Sequence, residues 1–489
     1  MKTGEVLMEF PKTGQTPDAI LSQLDALKTD DVPWAEGKVF AYVYDAGEEA
    51  KQLLKDAYNL YFIENGLDPT SFPSCMELEK DVIGMAVDLV NGSENATGTF
   101  TSGGTESILL SLKAARDYYR EIKPGIKNPE VVMPVTAHPA FHKACAYFDL
   151  TAVTVEVDDN FRAVPEAMEA AITENTIMLV GSAPSYAHGA IDPITELGQV
   201  ALRHSLLLHV DCCVGGMYLP FAKKLGYDIP DFDMGVPGVT QLSMDFHKWG
   251  YAAKGASCIL YNDRELRRHQ IFSHAQWTGY AVINPGVTST KSGGPVAACW
   301  AILNYLGEEG YMRLVDATQK ATQKILDCVA DIEGMEVMGD PKINMIALRA
   351  TDFDIFPLGE DMKERGWFIQ PQFGYANSGE NMHLSVGYHN ADRVDEFCSD
   401  LRELAAAQRA AQQGKEVFEL PEELSQFIQE AGHTALDHMG DILGSDGSSL
   451  PGRMDEINQI LNQLPAATRE VLLGEFINRL YNPEQREAS

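Results

Sequence analysis

Lys248 is the residue whose surroundings most favour covalent chemistry. It lies in the sequence SMDFHKWGYAAKG, residues 243–255, directly after His247 and six positions before Lys254. A lysine in water stays protonated to about pH 10, so a nucleophilic lysine needs burial or a nearby cation that lowers its pKa. His247 and Lys254 are both placed to lower the pKa of Lys248. The pattern predicts a lysine that forms a Schiff base, whereas an arbitrary lysine would be a solvated surface residue.

Asp211 is the second candidate, in the sequence LHVDCCVGG of residues 208–216. It follows an apolar segment typical of a buried strand, where an unpaired carboxylate would be costly to desolvate. A protonated heterocyclic nitrogen is a suitable partner. The cluster of His209, Asp211, Cys212 and Cys213 is also compatible with a metal, but alternate strand residues point to opposite faces and no distant Cys or His pair completes a site. We therefore predict no metal.

A glycine turn in the sequence TSGGTES, residues 101–107, leads from a short strand into a helix. The amides of Gly104, Thr105 and Glu106 would lie unpaired at the helix start, where they can bind a phosphate. The stretch lacks the Gly-Lys-Ser/Thr of a nucleotide P-loop and the spacing of a dinucleotide fingerprint. The alternative interpretation is a plain strand-to-helix turn.

Two more polar residues lie where a ligand could contact them. His138 follows a predicted strand over residues 131–135, and open α/β sheets bind ligands at such carboxyl ends. A single histidine there is more often a hydrogen-bonded structural residue. Asn65 lies in a Gly- and Pro-containing loop of residues 64–74, and taken alone it is more typical of a turn residue than of a ligand contact.

The elements that position these residues alternate along the chain. Apolar runs at 131–135, 150–157, 177–182 and 206–210 are separated by helical stretches that include 165–172 and 194–203. This alternation predicts a parallel sheet wrapped by helices. Residues 14–60 have helical spacing and predict an arm and a packing helix.

Charge and composition exclude several classes of protein. The net charge of -33, from 71 acidic and 38 basic residues, argues against nucleic acid and anionic membrane surfaces as partners. The chain has no run of about 20 apolar residues, and residues 1–12 lack the features of a signal peptide, so we expect a cytoplasmic protein without a membrane span. Eight cysteines without Cys-x-x-Cys spacing predict reduced thiols.

Four motifs in this order resemble the pyridoxal-phosphate enzymes related to the group II decarboxylases. They are TSGGTES (101–107), AHPAF (137–141), HVDCCVGG (209–216) and HKWGYAAKG (247–255). Within this family the chain is most similar to the sphingosine 1-phosphate lyases, over about residues 62–311 and more loosely to about 405. The resemblance implies a fold-type I α/β transferase-like subunit, with a mainly parallel sheet wrapped by helices in a large domain and a smaller C-terminal α/β domain. The expected domains are an N-terminal arm (1–75), a large cofactor domain (76–295), a small domain (296–410) and a helical C-terminal extension (411–489).

The resemblance also implies roles for individual residues. Lys248 would hold pyridoxal 5'-phosphate as a Schiff base, Asp211 would pair with the pyridine nitrogen, and His138 would stack on the ring. The other expected cofactor contacts are Gly104, Thr105, Ser182, His247 and Thr290. Lys254 is expected to be catalytic and to contact substrate, and the remaining substrate contacts are Asn65 and Cys213. A homodimer with shared active sites and a small-molecule amine substrate are expected as well.

The chain departs from the family pattern at three places. Ser289-Thr290-Lys291-Ser292-Gly293 stands where the family has Gly-Ser-Arg-Pro-Gly, so a point charge replaces an arginine fork. Gly66-Leu67-Asp68 replaces Pro-Leu-His and puts an acid where the family has a base. Beyond about residue 411 the resemblance ends; helices are predicted over 417–432 and 454–481, with a Gly/Ser linker over 440–452. A packing helix pair is the simpler interpretation of this extension, and a dimer or partner interface is the alternative.

The favoured activity is that of a carbon–carbon lyase. Such an enzyme cleaves a phosphorylated amino alcohol between carbons 2 and 3 by retro-aldol chemistry, giving an aldehyde and phosphoethanolamine. An L-amino-acid α-decarboxylase on the same scaffold is the alternative, and a non-catalytic pyridoxal-phosphate-binding protein is a third hypothesis.

Overall fold

The computed structural model describes residues 5–6, 10–414, 418–436, 453–481 and 486–487, with backbone alone for the first and last pair. The chain forms two compact units. The large unit comprises Phe40–Arg349 and His383–Ser399, and the small unit comprises Met1–Val39, Ala350–Met382 and Asp400–Ser489. The four domain ranges expected from the sequence stay predictions.

The helices and strands of the described residues follow in chain order. The helices are α1 (Pro17–Ala26), α2 (Glu48–Leu60), α3 (Pro73–Leu89), α4 (Gly104–Ile122), α5 (Ala140–Phe148), α6 (Pro165–Ala170), α7 (Ile194–His204), α8 (Leu219–Lys224), α9 (Arg264–Arg268), α10 (Gly293–Ala330), α11 (Ile355–Glu364), α12 (Val394–Gln412), α13 (Glu422–Ala431), α14 (Asp455–Gln463) and α15 (Ala466–Leu480). The strands are β1 (Glu5–Val6), β2 (Thr97–Thr101), β3 (Glu130–Pro134), β4 (Thr151–Val155), β5 (Thr176–Ser182), β6 (Leu207–Asp211), β7 (Gln241–Asp245), β8 (Ser257–Tyr261), β9 (Phe272–His274), β10 (Val282–Asn284), β11 (Met335–Val337), β12 (Met345–Ala350), β13 (Gln370–Gln372), β14 (Asn381–Ser385) and β15 (Arg486–Glu487). Short 3-10 helices cover Trp34–Glu36, Tyr388–Arg393 and Gly432–Thr434.

A seven-stranded sheet organises the large unit, in the order β2-β8-β7-β6-β5-β3-β4. The pairs from β4 through β3, β5 and β6 to β7 are all parallel, whereas β8 is antiparallel to both β7 and β2. The prediction of an α/β fold with a mainly parallel sheet wrapped by helices is confirmed.

The central strands are buried along their whole length because both of their faces are covered. Every residue of β5, β6 and β7 is buried, as expected for parallel strands between two layers of helices. Neighbouring residues contribute to different cores: Leu208 belongs to one apolar cluster and Leu207 to the other. This two-sided burial fixes the strand ends, on which the site depends.

The antiparallel pairing of β7 with β8 shortens their connection. Parallel neighbours need a crossover helix, but antiparallel neighbours can be joined by a short return. Residues 246–256 form this return, and Lys248 lies in it. The carboxyl end of β7 and the lysine are therefore held close together.

The C-terminal helices pack within the small unit. Their apolar core includes Ile428, Ile460 and Leu472, and Phe373 packs against it. Asn462 Oδ1 accepts a 2.7 Å hydrogen bond from the backbone N–H of Gly374, which lies outside these helices in sequence. These contacts favour the packing interpretation of the extension. Val417 and the predicted linker over 440–452 lie outside the described residues.

Candidate active site

Three buried polar residues end neighbouring strands of the main sheet. Ser182 ends β5, Asp211 ends β6 and Asp245 ends β7. In the strand register Ser182 is opposite Asp211, and Asp211 is opposite Ser243, two residues before Asp245. Because carboxyl ends of parallel strands meet at one edge, the fold gathers these side chains where α/β sheets bind ligands.

Lys248 lies next to this edge and forms an ion pair that the sequence analysis did not foresee. Its Nζ is 2.9 Å from Oδ2 of Asp245, whose side chain is 2% exposed. The return that carries it is anchored by Phe246 and His247, whose backbone N–H groups both donate to the carbonyl of Ala256 at 3.0 Å. The available signal was the spacing, since Asp245 stands three residues before the lysine at the end of an apolar strand.

The electrostatics of Lys248 differ from the sequence expectation. Burial lowers the pKa of Lys248, but the adjacent Asp245 carboxylate outweighs burial and raises that pKa above its usual value. The expectation of a lowered pKa for Lys248 is therefore wrong, although the Lys254 cation itself acts in the expected direction. The cause is the Asp245 carboxylate, 2.9 Å from the amine.

Asp211 is held by a chain of buried hydrogen bonds. Its Oδ1 accepts from the backbone N–H of Cys213 at 3.0 Å and from Oγ of Ser243 at 3.3 Å. Ser243 Oγ is also 3.0 Å from Nε2 of His209, and Nδ1 of His209 is 2.8 Å from Oγ of Ser111. Burial lowers the pKa of His209 to about 4, so this ring is neutral at neutral pH. His209, predicted only as a possible metal ligand, instead forms a second layer of hydrogen bonds behind Asp211.

The glycine turn before α4 lies on the same edge. A Cβ atom on Gly104 would come within 2.6 Å of Cys213 Sγ and 3.1 Å of both Asp245 carboxylate oxygens, so only glycine fits there. Among the described residues, the N–H groups of Gly104, Thr105 and Glu106 have no hydrogen-bond acceptor. Three open donors at the start of a nineteen-residue helix are what a phosphate requires.

Two predicted histidines flank this turn and the strand ends. His247 has its Cε1 3.5 Å from the position of a Cβ on Gly103, and its Nδ1 accepts from the Ala256 N–H at 3.2 Å. His138 has its Nδ1 engaged by the Ala140 N–H at 3.1 Å. Partial burial lowers the pKa of His138 and the pKa of His247. Both rings are therefore oriented by backbone and favour the neutral form.

Lys254 is a second amine in the same return. Its Nζ donates to the carbonyls of Tyr42 at 3.2 Å and His247 at 3.3 Å, and it lies 4.6 Å from the centre of the Tyr44 ring. Burial and the Lys248 cation lower the pKa of Lys254 to about 8. An appreciable minority of the Lys254 amines is therefore neutral near physiological pH. Tyr44 was not foreseen from the sequence.

The structure places Asn65 and Thr290 in adjoining loops, and the second of these loops reaches the start of α4, where the Val287 N–H donates to Glu106 Oε1 at 2.8 Å. Asn65 pairs with Ser292 in an isolated bridge, and the Gly66 N–H donates to the Lys291 carbonyl at 2.7 Å. The Asn65 Oδ1 accepts from the Leu67 N–H at 3.2 Å, so this side chain shapes its own turn. Among the described residues, no hydrogen bond joins these loops to Lys248, Asp211 or Asp245.

The buried polar groups at the strand ends fit a polar, phosphorylated ligand. Ser182 Oγ and Asp245 Oδ1 are buried without a hydrogen-bond partner among the described residues, and buried polar atoms without partners are costly. Over the same part of the chain, no group of three metal-ligating side chains comes together. Cys213 Sγ is 3.4 Å from Ser243 Oγ, and burial raises the pKa of its thiol; its contact with substrate stays a prediction.

A lysine after a strand, an acid at the neighbouring strand end and an open helix start, on a mainly parallel sheet, are the features of a pyridoxal-phosphate-dependent enzyme, and similarity to known lyases supports a lyase. A family model described as "Pyridoxal-dependent decarboxylase conserved domain" matches residues 7–351. The chain belongs to this family. When bound, pyridoxal phosphate supplies a ring that accepts electrons from a bond at the substrate's α-carbon.

Relatives of the chain include proteins described as lyases and a protein described as a decarboxylase. The chain is 38% identical over 403 residues to a sphingosine-1-phosphate lyase of Oryza sativa subsp. japonica, covering 81% of this chain and 74% of the relative. It is 30% identical over 368 residues to a "Probable L-aspartate decarboxylase" of Pyrococcus furiosus, covering 75% and 96%. Among solved structures, a sphingosine-1-phosphate lyase of Burkholderia pseudomallei superposes with a TM-score of 0.79 at 34% identity, covering 83% of this chain and 94% of that one.

A second family model matches the C-terminal helices. It covers residues 403–479 and is described as "Pyridoxal-dependent enzyme, C-terminal putative HTH domain". The expectation that the resemblance ends at residue 411 is therefore wrong. The motifs that carried the resemblance are strand-end and turn residues around the cofactor, and a helical module without such residues offers no comparable signal. Over the described residues, no helix has the length and apolar character that crossing a membrane requires.

Proposed function

We propose that this protein cleaves the bond between carbons 2 and 3 of a phosphorylated 2-amino-3-hydroxy compound, releasing an aldehyde and phosphoethanolamine. The observation that carries this choice is Lys254, an amine with a pKa of about 8 in the return that also carries Lys248. A retro-aldol cleavage needs a base for the 3-hydroxyl proton, and a base is most effective when its pKa lies near the working pH. The 38% sequence identity to a sphingosine-1-phosphate lyase, over an alignment that covers 81% of this chain, supports the same choice.

The residues at the strand ends and at the start of α4 would each bind a different part of the cofactor. Lys248 would bond the cofactor's aldehyde carbon, and Asp211 would keep the proton on its pyridine nitrogen because a carboxylate in a low dielectric stabilises an adjacent cation. Gly104 and Thr105 would donate backbone N–H groups to the phosphate, with His247 beside them. Ser182, whose hydroxyl is buried without a partner among the described residues, would donate to the cofactor as well.

The substrate's protons would be handled by the two lysines. Lys254 would take the 3-hydroxyl proton, so the oxygen's electron pair forms the aldehyde carbonyl as the bond between carbons 2 and 3 breaks. The electron pair of that bond stays with carbon 2, and the Lys248 ammonium would return a proton there. His138 would stack on the ring, and Cys213 would contact the substrate.

A homodimer with shared active sites belongs to this proposal. Around Asn65 a single chain exposes large apolar side chains, with Phe62 69% and Ile63 73% exposed. Ile283, a few residues before Thr290, is 69% exposed. Exposed apolar clusters of this kind are typical of protein–protein contacts, and a second subunit would cover them and bring Asn65 and Thr290 to a neighbouring site.

A cytoplasmic location and the absence of nucleic-acid binding are proposed on separate grounds. All eight cysteines are buried thiols that form no disulfide, as expected in a reducing compartment. The stretch 403–479 contains thirteen acidic residues and five Lys or Arg. A phosphate backbone would be repelled by this charge, so we propose that the C-terminal helices serve packing and not nucleic-acid recognition.

The second candidate function is α-decarboxylation of an L-amino acid. The Pyrococcus furiosus relative favours it, since its name assigns a decarboxylase to this family at 30% identity. Both reactions would use Lys248 and Asp211 in the same way. They differ in the bond placed perpendicular to the ring, and hence in the product.

Product analysis separates the candidates. The purified protein is incubated with a sphingoid base phosphate and, in parallel, with a panel of L-amino acids, and aldehyde and carbon dioxide are measured in both. Aldehyde and phosphoethanolamine in equal amounts support the lyase, whereas carbon dioxide from an L-amino acid without aldehyde overturns it. A visible band near about 410 to 430 nm with no turnover of either class would leave only a cofactor-binding protein. Lys248→Ala serves as the control for uncatalysed breakdown.

A further inference from the structure

We infer that Asp245 is the counter-ion that anchors the Lys248 side chain and keeps its amine protonated whenever that amine is not bonded to the cofactor. Asp245 would thus be a positioning residue that acts through Lys248. The inference depends on the chain's use of pyridoxal phosphate and holds for either candidate reaction.

The geometry isolates this pair from other partners. The Lys248 Nζ and Asp245 Oδ2 are 2.9 Å apart, whereas His247 Nε2 is 3.7 Å from the same oxygen and belongs to a ring that favours the neutral form. The other oxygen, Oδ1, is buried without a hydrogen-bond partner among the described residues. A buried carboxylate needs compensation, and the lysine supplies it.

The remaining groups around Lys248 do not replace the carboxylate. The titratable side chains that act on the amine are His138, Tyr44, Tyr186, Cys213, His247 and Lys254. Burial raises the pKa of Cys213, Tyr44 and Tyr186, so these three are neutral at neutral pH. Lys254 is a cation that opposes protonation of Lys248. None of these six side chains is an anion at neutral pH, so Asp245 is the group that can hold the charged amine of Lys248.

The ion pair has a consequence for the catalytic cycle. A lysine displaced from the cofactor by a substrate amine must stay near carbon 2 to deliver a proton there. A neutral amine on a flexible four-carbon stem would lose that position and that proton, whereas an ammonium paired to a rigid strand end keeps both. Burial without Asp245 would favour the neutral amine.

The test measures the titration of one amine in the whole chain. Cofactor is removed with hydroxylamine, the protein is labelled with trace acetic anhydride from about pH 6 to pH 11, and mass spectrometry quantifies acetylation of the Lys248 peptide against that of the exposed Lys80. A carboxylate at this distance shifts a pKa by at least about two units, so in Asp245→Asn we expect acetylation of Lys248 at pH 7.5 to rise about a hundredfold. Asp211→Asn is the matched control. It changes the neighbouring buried strand-end carboxylate, which binds Cys213 and Ser243, and the Lys248 midpoint should stay in place.

A purely structural Asp245 would give a different result. Lys248 would keep its wild-type midpoint in a folded Asp245→Asn variant, and that outcome overturns the inference. If the variant does not fold, the titration midpoint of Lys248 in the wild-type protein decides. A midpoint above that of a free lysine, about 10.4, supports the ion pair, and a midpoint below it contradicts the ion pair.

The reaction of Lys248 with pyridoxal is a second measurement, and pyridoxal is used because it lacks the phosphate group that Asp245 would repel. The visible band should form faster in Asp245→Asn than in wild type, and slower formation contradicts the inference. None of these measurements depends on which substrate the enzyme cleaves.

Discussion

Two regions of the large unit carry the predicted site residues, and they differ in how firmly the fold holds them. The floor consists of Ser182, Asp211, Asp245 and Lys248, whose positions follow from buried strands of one sheet. The rim consists of Asn65, Thr290 and Lys291, which lie in adjoining exposed or half-buried loops. We expect the floor to bind the cofactor that is common to the family, since Asp211 and Lys248 lie in motifs that resemble those of the family. The rim departs from that pattern at Lys291 and near Asn65, so we expect substrate choice to vary there.

Replacement of Lys248 on the floor should have the largest effect on cofactor binding and activity. In Lys248→Ala we expect the visible band to disappear and kcat/KM to fall by at least about a thousandfold, because the covalent attachment and the proton donor are both lost. Absorbance and aldehyde release measure the two effects. Lys80→Ala, an exposed lysine change on α3, is the control and should alter neither.

The pH profile tests Lys254 as the base. Its pKa of about 8 lies below that of a free lysine, so the neutral base is lost as pH falls through 8. We expect kcat/KM to drop about tenfold per pH unit below 8, and Lys254→Met to lower the plateau by about a hundredfold and abolish this limb. If kcat/KM of Lys254→Met still falls below pH 8, a group other than Lys254 is responsible for that fall. Rates are measured from about pH 6 to pH 9.

Neutralising Asp211 on the floor should change both the absorbance of the cofactor and the reaction rate. Asp211→Asn removes the negative charge expected beside the pyridine nitrogen, so we expect the visible band to shift and kcat to fall about a hundredfold. Stopped-flow kinetics and absorbance give both quantities. Asp263→Asn, an exposed helix cap with the same chemical change, should leave both at wild-type values.

The close packing of the glycine turn predicts a smaller loss that is confined to cofactor affinity. A methyl group at position 104 would meet Cys213 Sγ at 2.6 Å, and overpacking of this size displaces backbone. We expect Gly104→Ala to weaken cofactor binding about tenfold to a hundredfold, as measured by equilibrium dialysis. Gly84→Ala is the matched control, since a Cβ there has nothing within 4 Å, and its affinity should be unchanged.

The smallest effect is expected on the rim. Lys291 pairs with Glu79 at 2.7 Å, and Lys291→Arg would restore a bidentate fork toward a phosphate. We expect KM for a phosphorylated substrate to fall a few-fold, about 1 kcal/mol, with kcat and the visible band unchanged. Lys320→Arg, at an exposed ion pair with Asp316, is the control. A shifted visible band in Lys291→Arg would erase the distinction between rim and floor.

Sequence reasoning succeeded where a residue's position follows from local pattern. The strand ends at Ser182 and Asp211 and the helix start at Gly104 were all within a residue or two of their observed places, because apolar runs and glycine turns fix such boundaries. It failed where a contact depends on side-chain rotamers or on the pairing of distant strands. The Asp245–Lys248 pair is three residues apart but depends on rotamers, and the Ser111–His209–Ser243 chain depends on how distant segments pack together.

The sequence by itself determined the alternation of strands and helices, the lysine and the acid that mark the cofactor class, and the helix start suited to a phosphate. These features are short-range, since each depends on the order of a few neighbouring residues. Only the tertiary structure decided the charge on Lys248, because burial and an adjacent carboxylate act on it in opposite directions. Their balance depends on a distance of 2.9 Å that no spacing along the chain specifies.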